Sequence, residues 1–199
     1  VNPEQAGAMH AALSKARVLI CGTQYILDHT EGFSALEERV SRGVPLRLLL
    51  DEGQYKGPSS ASQTERLQCL VEHAAAYSNA DCVSLRTLQP KAWGEGRFNS
   101  VHAKSWLIDN SVIIKGSANM SGQAEKNAEF TEIIRELKAV AFHKKWFDTL
   151  WAMGHQVEHA DLLRKYRGTA TVVNRRIQAE AAESARQKEK DALQHAGST

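Results

Sequence analysis

Apolar residues recur along this chain in two rhythms, short continuous runs and a helical spacing, and the two alternate. Arg17–Thr23, Val44–Leu50 and Cys82–Leu88 are short apolar runs with polar flanks, the pattern of strands buried in a sheet. Between them, residues 30–42 place Phe33, Leu36 and Val40 on one stripe, with Thr30 as the expected cap and Gly43 as the stop. Residues 62–78 do the same with Leu67, Leu70, Val71 and Ala74, after a polar loop at 51–62. A weaker amphipathic pattern runs through residues 1–16, with Met9, Leu13 and Ala16 on one side. Strand, helix, strand, helix, strand predicts an α/β fold with a mixed β-sheet flanked by helices.

The second half opens with a different rhythm. His102 and Lys104 sit two apart on an alternating run, so both are expected on one face of a strand. Asp109-Asn110-Ser111 signals a turn and Val112–Ile114 a β-branched return strand, together a hairpin. Gly116-Ser117 is a second tight turn, where a glycine backbone can approach a ligand. Residues 129–135 read as a further strand and 137–151 as a helix with Val140, Phe142, Trp146, Phe147 and Leu150 on its core face. After Met153 the letters become charged and helical, which divides the chain into a domain at 1–153 and a helical C-terminal extension at 154–199. His155 and His159 fall four apart in that extension and read as a solvated helix face rather than a metal site.

Composition narrows the picture only slightly. The chain has 199 residues, 42% apolar, with a net charge of +2. That is enough for a domain with a real core, and too little charge to name a partner from bulk electrostatics. Cys21, Cys69 and Cys82 are odd in number and widely spaced, and read as reduced core thiols. No stretch reaches the length of a membrane span. A soluble, cytoplasmic domain is the default expectation. The chain starts at Val1 without a methionine, so a targeting segment or anchor upstream is left open.

The candidate chemistry lies in His102-x-Lys104-x4-Asp109-x6-Gly116-Ser117, followed by Asn119 and Asn127-x-Glu129. The first three positions alone are a weak signal. The added Gly-Ser, Asn and Asn-x-Glu make it specific. This set resembles the HKD motif of the phospholipase D superfamily, and the strand and helix pattern extends the likeness from about Val18 to Trp151. One copy of the motif is present.

Residue chemistry fits that resemblance. A neutral imidazole at His102 can attack an anionic phosphodiester without charge repulsion. Lys104 and Asn119 offer donors for the non-bridging oxygens, and Glu129 an acceptor that fixes the imidazole tautomer. Asp109, Gly116 and Asn127 are expected to be structural. Ser117, with Lys91, Trp93 and Arg97 from a Gly-rich loop at 89–100, is expected to bind substrate, by charge or by stacking. The resemblance implies no cofactor and no metal. It also implies a homodimer, because two motifs meet at one site in this superfamily. Its small single-motif endonucleases make nucleic acid the first expected substrate. Cardiolipin-hydrolase-like lipid phosphodiesterases come second, and a non-catalytic nucleic-acid-binding module third.

Overall fold

The structure is a computed structural model that describes residues 9–57, 60–89, 100–121 and 129–171. Lys91, Trp93, Arg97 and Asn127 lie outside the described residues, as does the chain beyond 171.

Seven strands form one sheet among the described residues. They are β1 (Ile20–Gln24), β2 (Leu46–Asp51), β3 (Val83–Leu88), β4 (Ser105–Ile108), β5 (Val112–Gly116), β6 (Thr131–Ile134) and β7 (His155–Gln156). Their order is β6-β5-β4-β1-β2-β3-β7. β1, β2 and β3 run parallel, and the other pairs are antiparallel, so the sheet is mixed, as the strand and helix rhythm predicts. The described part of helix α1 covers residues 9–13, and that of α6 residues 159–171. Between them come α2 (Thr30–Ser41), α3 (Glu52–Lys56), α4 (Ala61–Ala76) and α5 (Leu137–Met153).

Strand alternation sends side chains into two cores. Ile20, Leu46, Leu48, Leu50, Leu85 and Trp106 pack with Phe33 and Leu36 of α2 and with Leu67 and Leu70 of α4. Cys21, Leu49, Leu107 and Ile113 pack on the opposite side with Val140 and Phe147 of α5. A Cβ on Gly22 would lie 2.4 Å from the Trp106 ring, so only glycine lets that ring cross β1. Helices α2 and α4, joined by Leu13 of α1 and Leu162 of α6, cover the first face, and among the described residues α5 covers the second. That face is therefore left partly open.

Several expectations change here. Residues 52–56 form α3 rather than loop, because the Asp51 carboxylate accepts from Gln54 N at 2.8 Å and caps the turn. The cap of α2 is His29, whose Nδ1 accepts from Gly32 N at 3.3 Å, and Thr30 is the first helical residue. His155 lies on strand β7, paired to Thr87, while His159 enters α6 and meets the Val83 carbonyl at 3.1 Å, so the two do not share a helix face. Val157 and Leu162, past Met153, belong to the same core as β1–β3. Phe142 is 75% exposed instead of buried. The three cysteines are free, but only Cys21 is buried and Cys69 is exposed. Burial pushes the Cys21 thiol up to about 11, so it stays protonated.

The β4–β5 hairpin turns through Asp109 and Asn110, both at positive φ (51° and 50°), the pattern of a type I′ turn. The Asp109 side chain faces away from the hairpin mouth. Its oxygens accept from Arg17 N, Val18 N and Leu19 N at 2.7 to 3.1 Å, which ties the entry of β1 to the hairpin. Asp109 thus satisfies three backbone donors of the segment leading into β1.

Candidate active site

His102 and Lys104 stand just before β4, in irregular chain at its entry and not within the strand as expected. They are not equivalent. His102 is exposed, whereas Lys104 is only 8% exposed. The Lys104 side chain bends back along its own segment. Its Nζ donates to the His102 carbonyl at 2.7 Å and lies 2.8 and 2.9 Å from the two ring nitrogens of His102. An ammonium pressed against the nitrogen edge of an imidazole disfavours a second positive charge. Partial burial and this cation hold the His102 pKa below its ordinary value near 6.5, with Asp51 opposing. Burial also lowers Lys104 from its ordinary 10.5, with Glu129 opposing. Both effects favour a neutral imidazole at His102 beside the Lys104 amine.

The loop after β5 closes over the same place. Gly116 N donates to the Lys104 carbonyl at 3.2 Å, and Ser117 N to the Phe130 carbonyl at 3.2 Å. A Cβ on Gly116 would sit 2.1 Å from Phe130 O. The glycine is thus needed for the close approach of the chain at Phe130, on the entry to β6. Ser117 Oγ donates to Glu129 Oε2 and accepts from Phe130 N at 3.1 Å. Glu129, expected to orient an imidazole, is joined to Ser117. Its charge reaches Lys104.

Asn119 is positioned from behind. Its neighbour Met120 accepts at its carbonyl from Asp28 N and His29 N, pairs as a bridge with Leu27, and fills the space where Gly32 lacks a side chain. Asn119 Oδ1 is buried without a hydrogen-bond partner.

Two residues that composition and motif left unmarked complete the cluster. The Tyr25 ring lies 4.7 Å from the His102 ring, tilted by 59°, with Lys104 Nζ 5.3 Å from its centre. Asp51, at the end of β2, accepts from Val101 N at 2.8 Å, immediately before His102. Neither carries a local signal, because each meets His102 only through the sheet order.

Two grooves open onto this cluster. One, of about 570 Å³, runs from His102 along α5 past Phe142, Trp146, Leu150 and Met153, with Lys145 at its side. The other, about 460 Å³, is lined by Lys104, Lys115, Gly116, Phe130, Phe142 and Trp146. Phe142 belongs to both. Among the described residues no group of three or more His, Cys, Asp or Glu side chains is arranged to hold a metal ion. No helix there is long and apolar enough to cross a membrane.

Comparisons with known proteins agree with this architecture. A search of curated proteins gives no match. Among solved structures, NucT from Helicobacter pylori superposes with a TM-score of 0.66 at 18% identity, covering 77% of this chain and 91% of NucT. Nuc from Salmonella typhimurium, a phospholipase D family member, gives 0.59 at 20% identity, over 79% of this chain and 94% of Nuc. Phosphatidylserine synthase from Haemophilus influenzae gives 0.63 at 10% identity, over 90% of this chain and 44% of the synthase. At these identities the likeness is one of fold. The family model described as "Cardiolipin synthase, PLD-like domain" matches residues 9–151, from α1 through most of α5. The chain belongs to this PLD-like domain family of the phospholipase D superfamily.

Proposed function

We propose that the protein is a metal-independent phosphodiesterase, acting first of all on nucleic acid, with His102 as the nucleophile. The observation that carries this is the Lys104 ammonium against the nitrogen edge of an exposed His102 held neutral. In the first step a ring nitrogen of His102 bonds to phosphorus and the ester P–O bond breaks. Lys104 and the Asn119 amide hold the non-bridging oxygens, and a protonated imidazole across the cleft gives its proton to the leaving oxygen. In the second step water attacks phosphorus and passes a proton to that second imidazole. The P–N bond breaks and His102 is free again.

One chain supplies one His102, so the second imidazole comes from a second copy around a two-fold axis. Phe130, Ile133, Leu137, Phe142 and Met153 are exposed large apolar residues of β6 and α5 and the segments beside them. Phe130, Phe142 and Met153 line the grooves on the side of the sheet that α5 covers thinly, whereas Ile133 lies on the opposite face of β6, and Phe142 borders both grooves that reach the site. Such a surface favours burial against a partner, here another copy of this chain. Lys115 and Lys145 beside the grooves can meet successive phosphates.

A second reading is a lipid phosphodiesterase. The groove along α5 favours it, being about 570 Å³ and lined by Leu88, Val101, Trp146, Leu150 and Met153. A panel of single-stranded DNA, RNA, duplex DNA, phosphatidylcholine, cardiolipin and a chromogenic phosphodiester, all with EDTA, separates the two. Turnover is expected to be unchanged by the chelator. Loss in EDTA with recovery on adding zinc or magnesium would overturn the mechanism.

The pH profile follows from the same geometry. The neutral nucleophile accumulates as pH rises through a His102 pKa set below 6.5, so the rate climbs there. It falls again as the second copy loses the proton it must donate. Two copies of one histidine titrate with coupled values, and kcat/KM is expected to be bell-shaped around mildly acidic to neutral pH. A rate that rises steadily to pH 9 is incompatible with the paired mechanism.

A further inference from the structure

Asp51 is 3% exposed, at the end of β2. One carboxylate oxygen has an ordinary role, because Oδ1 caps α3 by accepting from Gln54 N at 2.8 Å. Asparagine or serine would do this without burying a charge, and a buried charge is costly unless something uses it. The second oxygen is directed elsewhere. Oδ2 accepts from Val101 N at 2.8 Å, fifty residues along the chain and one residue before His102.

The cap itself also leads back to the same ring. Gln54, fixed by Asp51, donates from Nε2 to the Tyr25 hydroxyl at 2.7 Å. The Tyr25 ring then lies against the His102 ring, 4.7 Å between centroids. One carboxylate thus has two arms ending at one imidazole. The first fixes the backbone that carries His102, and the second fixes the aromatic surface on which its ring rests.

We propose that Asp51 is a positioning residue for His102, setting its backbone through Val101 and its ring through Gln54 and Tyr25, and supplying the negative charge that steadies the imidazolium. The site needs both protonation states of this histidine, neutral to attack and cationic to donate. Lys104 presses from one side and disfavours the cation. Tyr25 covers a face of the ring, Lys145 adds a further cation along the α5 groove, and Glu129 acts on Lys104. Among these groups Asp51 is the carboxylate whose charge acts on His102 directly.

The kinetic half of this proposal rests on the phosphodiesterase reading, and the ring titration does not. Asp51→Asn keeps the shape and an acceptor for Gln54 N but removes the charge. The His102 ring is followed by NMR over pH 4–9, assigned by its loss in His102→Gln. In Asp51→Asn its midpoint is expected to fall further below that of the parent protein. With a cleaved substrate, kcat is expected to fall on the order of 10²-fold, as for a reacting group moved by a fraction of its contact distance, with KM little changed. Tyr25→Phe keeps the ring but cuts the Gln54 arm. It should lower kcat several-fold and move the His102 ring shifts while leaving the midpoint in place.

A folded Asp51→Asn with the parent's midpoint and kcat overturns the proposal. If Asp51→Asn does not fold, Tyr25→Phe decides, and unchanged ring shifts with unchanged kcat overturn it. A parent protein inactive on every phosphodiester, whose midpoint still falls in Asp51→Asn, refutes the proposed function and leaves the positioning intact.

Discussion

Replacing His102 by alanine is expected to reduce turnover by roughly 10³-fold or more, since nucleophile, cation and proton donor act as one unit and fail together. The fold should survive. His102 is exposed, its ring rests on Tyr25, and its removal opens no cavity in either core. Lys104 is a different case. It is buried, and its Nζ holds the His102 carbonyl. Lys104→Ala should therefore cost activity on a similar scale and also loosen the entry to β4. Lys104→Met keeps the buried stem and separates the two effects. Turnover is read on the preferred substrate of the panel, with thermal melting alongside. An active His102→Ala protein would remove the assignment.

The second large effect concerns pairing. Parent and His102→Ala subunits carrying different tags are co-expressed, and the mixed dimer is isolated through both tags. A composite site uses the two histidines in different roles, one attacking and one donating. The mixed dimer is therefore expected to be nearly as impaired as the dimer of two His102→Ala subunits. Independent sites would leave it half the parental activity. The apolar surface around Phe142 gives a second handle. Phe142→Glu places a charge where a partner is expected to lie, should shift sedimentation toward monomer, and should lower activity together with association. The residue is exposed in the single chain, so the monomer should keep its fold. A protein that sediments as an active monomer at assay concentration sinks the pairing.

Much of this fold is legible in the order of residues alone, for a physical reason. Runs such as Leu46–Leu50 and stripes such as Leu67, Leu70, Val71 and Ala74 report burial with the period of their own element, and that period is local. The mixed sheet between helices follows from them. The candidate site is legible because His102, Lys104, Gly116, Ser117, Asn119 and Glu129 fall within thirty residues around one hairpin. A hairpin of that length brings its own ends together.

The sequence by itself therefore determined the layered α/β fold, the family motif, and which residue types face one another near β4 and β5. It did not determine what distant elements contribute. Asp51 reads as the start of a polar loop, and Tyr25 falls just past the strand at Arg17–Thr23. Only the order that places β1 between β4 and β2 brings both to His102. His155 looks helical because its neighbours in sequence are, yet pairing with Thr87 across the sheet draws it into β7. Phe142 carries the spacing of a core residue, but one helix cannot cover the whole of its sheet face, and the tertiary arrangement leaves that ring outside. Periodicity tells which side chains seek burial. Which of them find it, and which carboxylate meets which backbone donor, is decided by packing between segments that sequence separates.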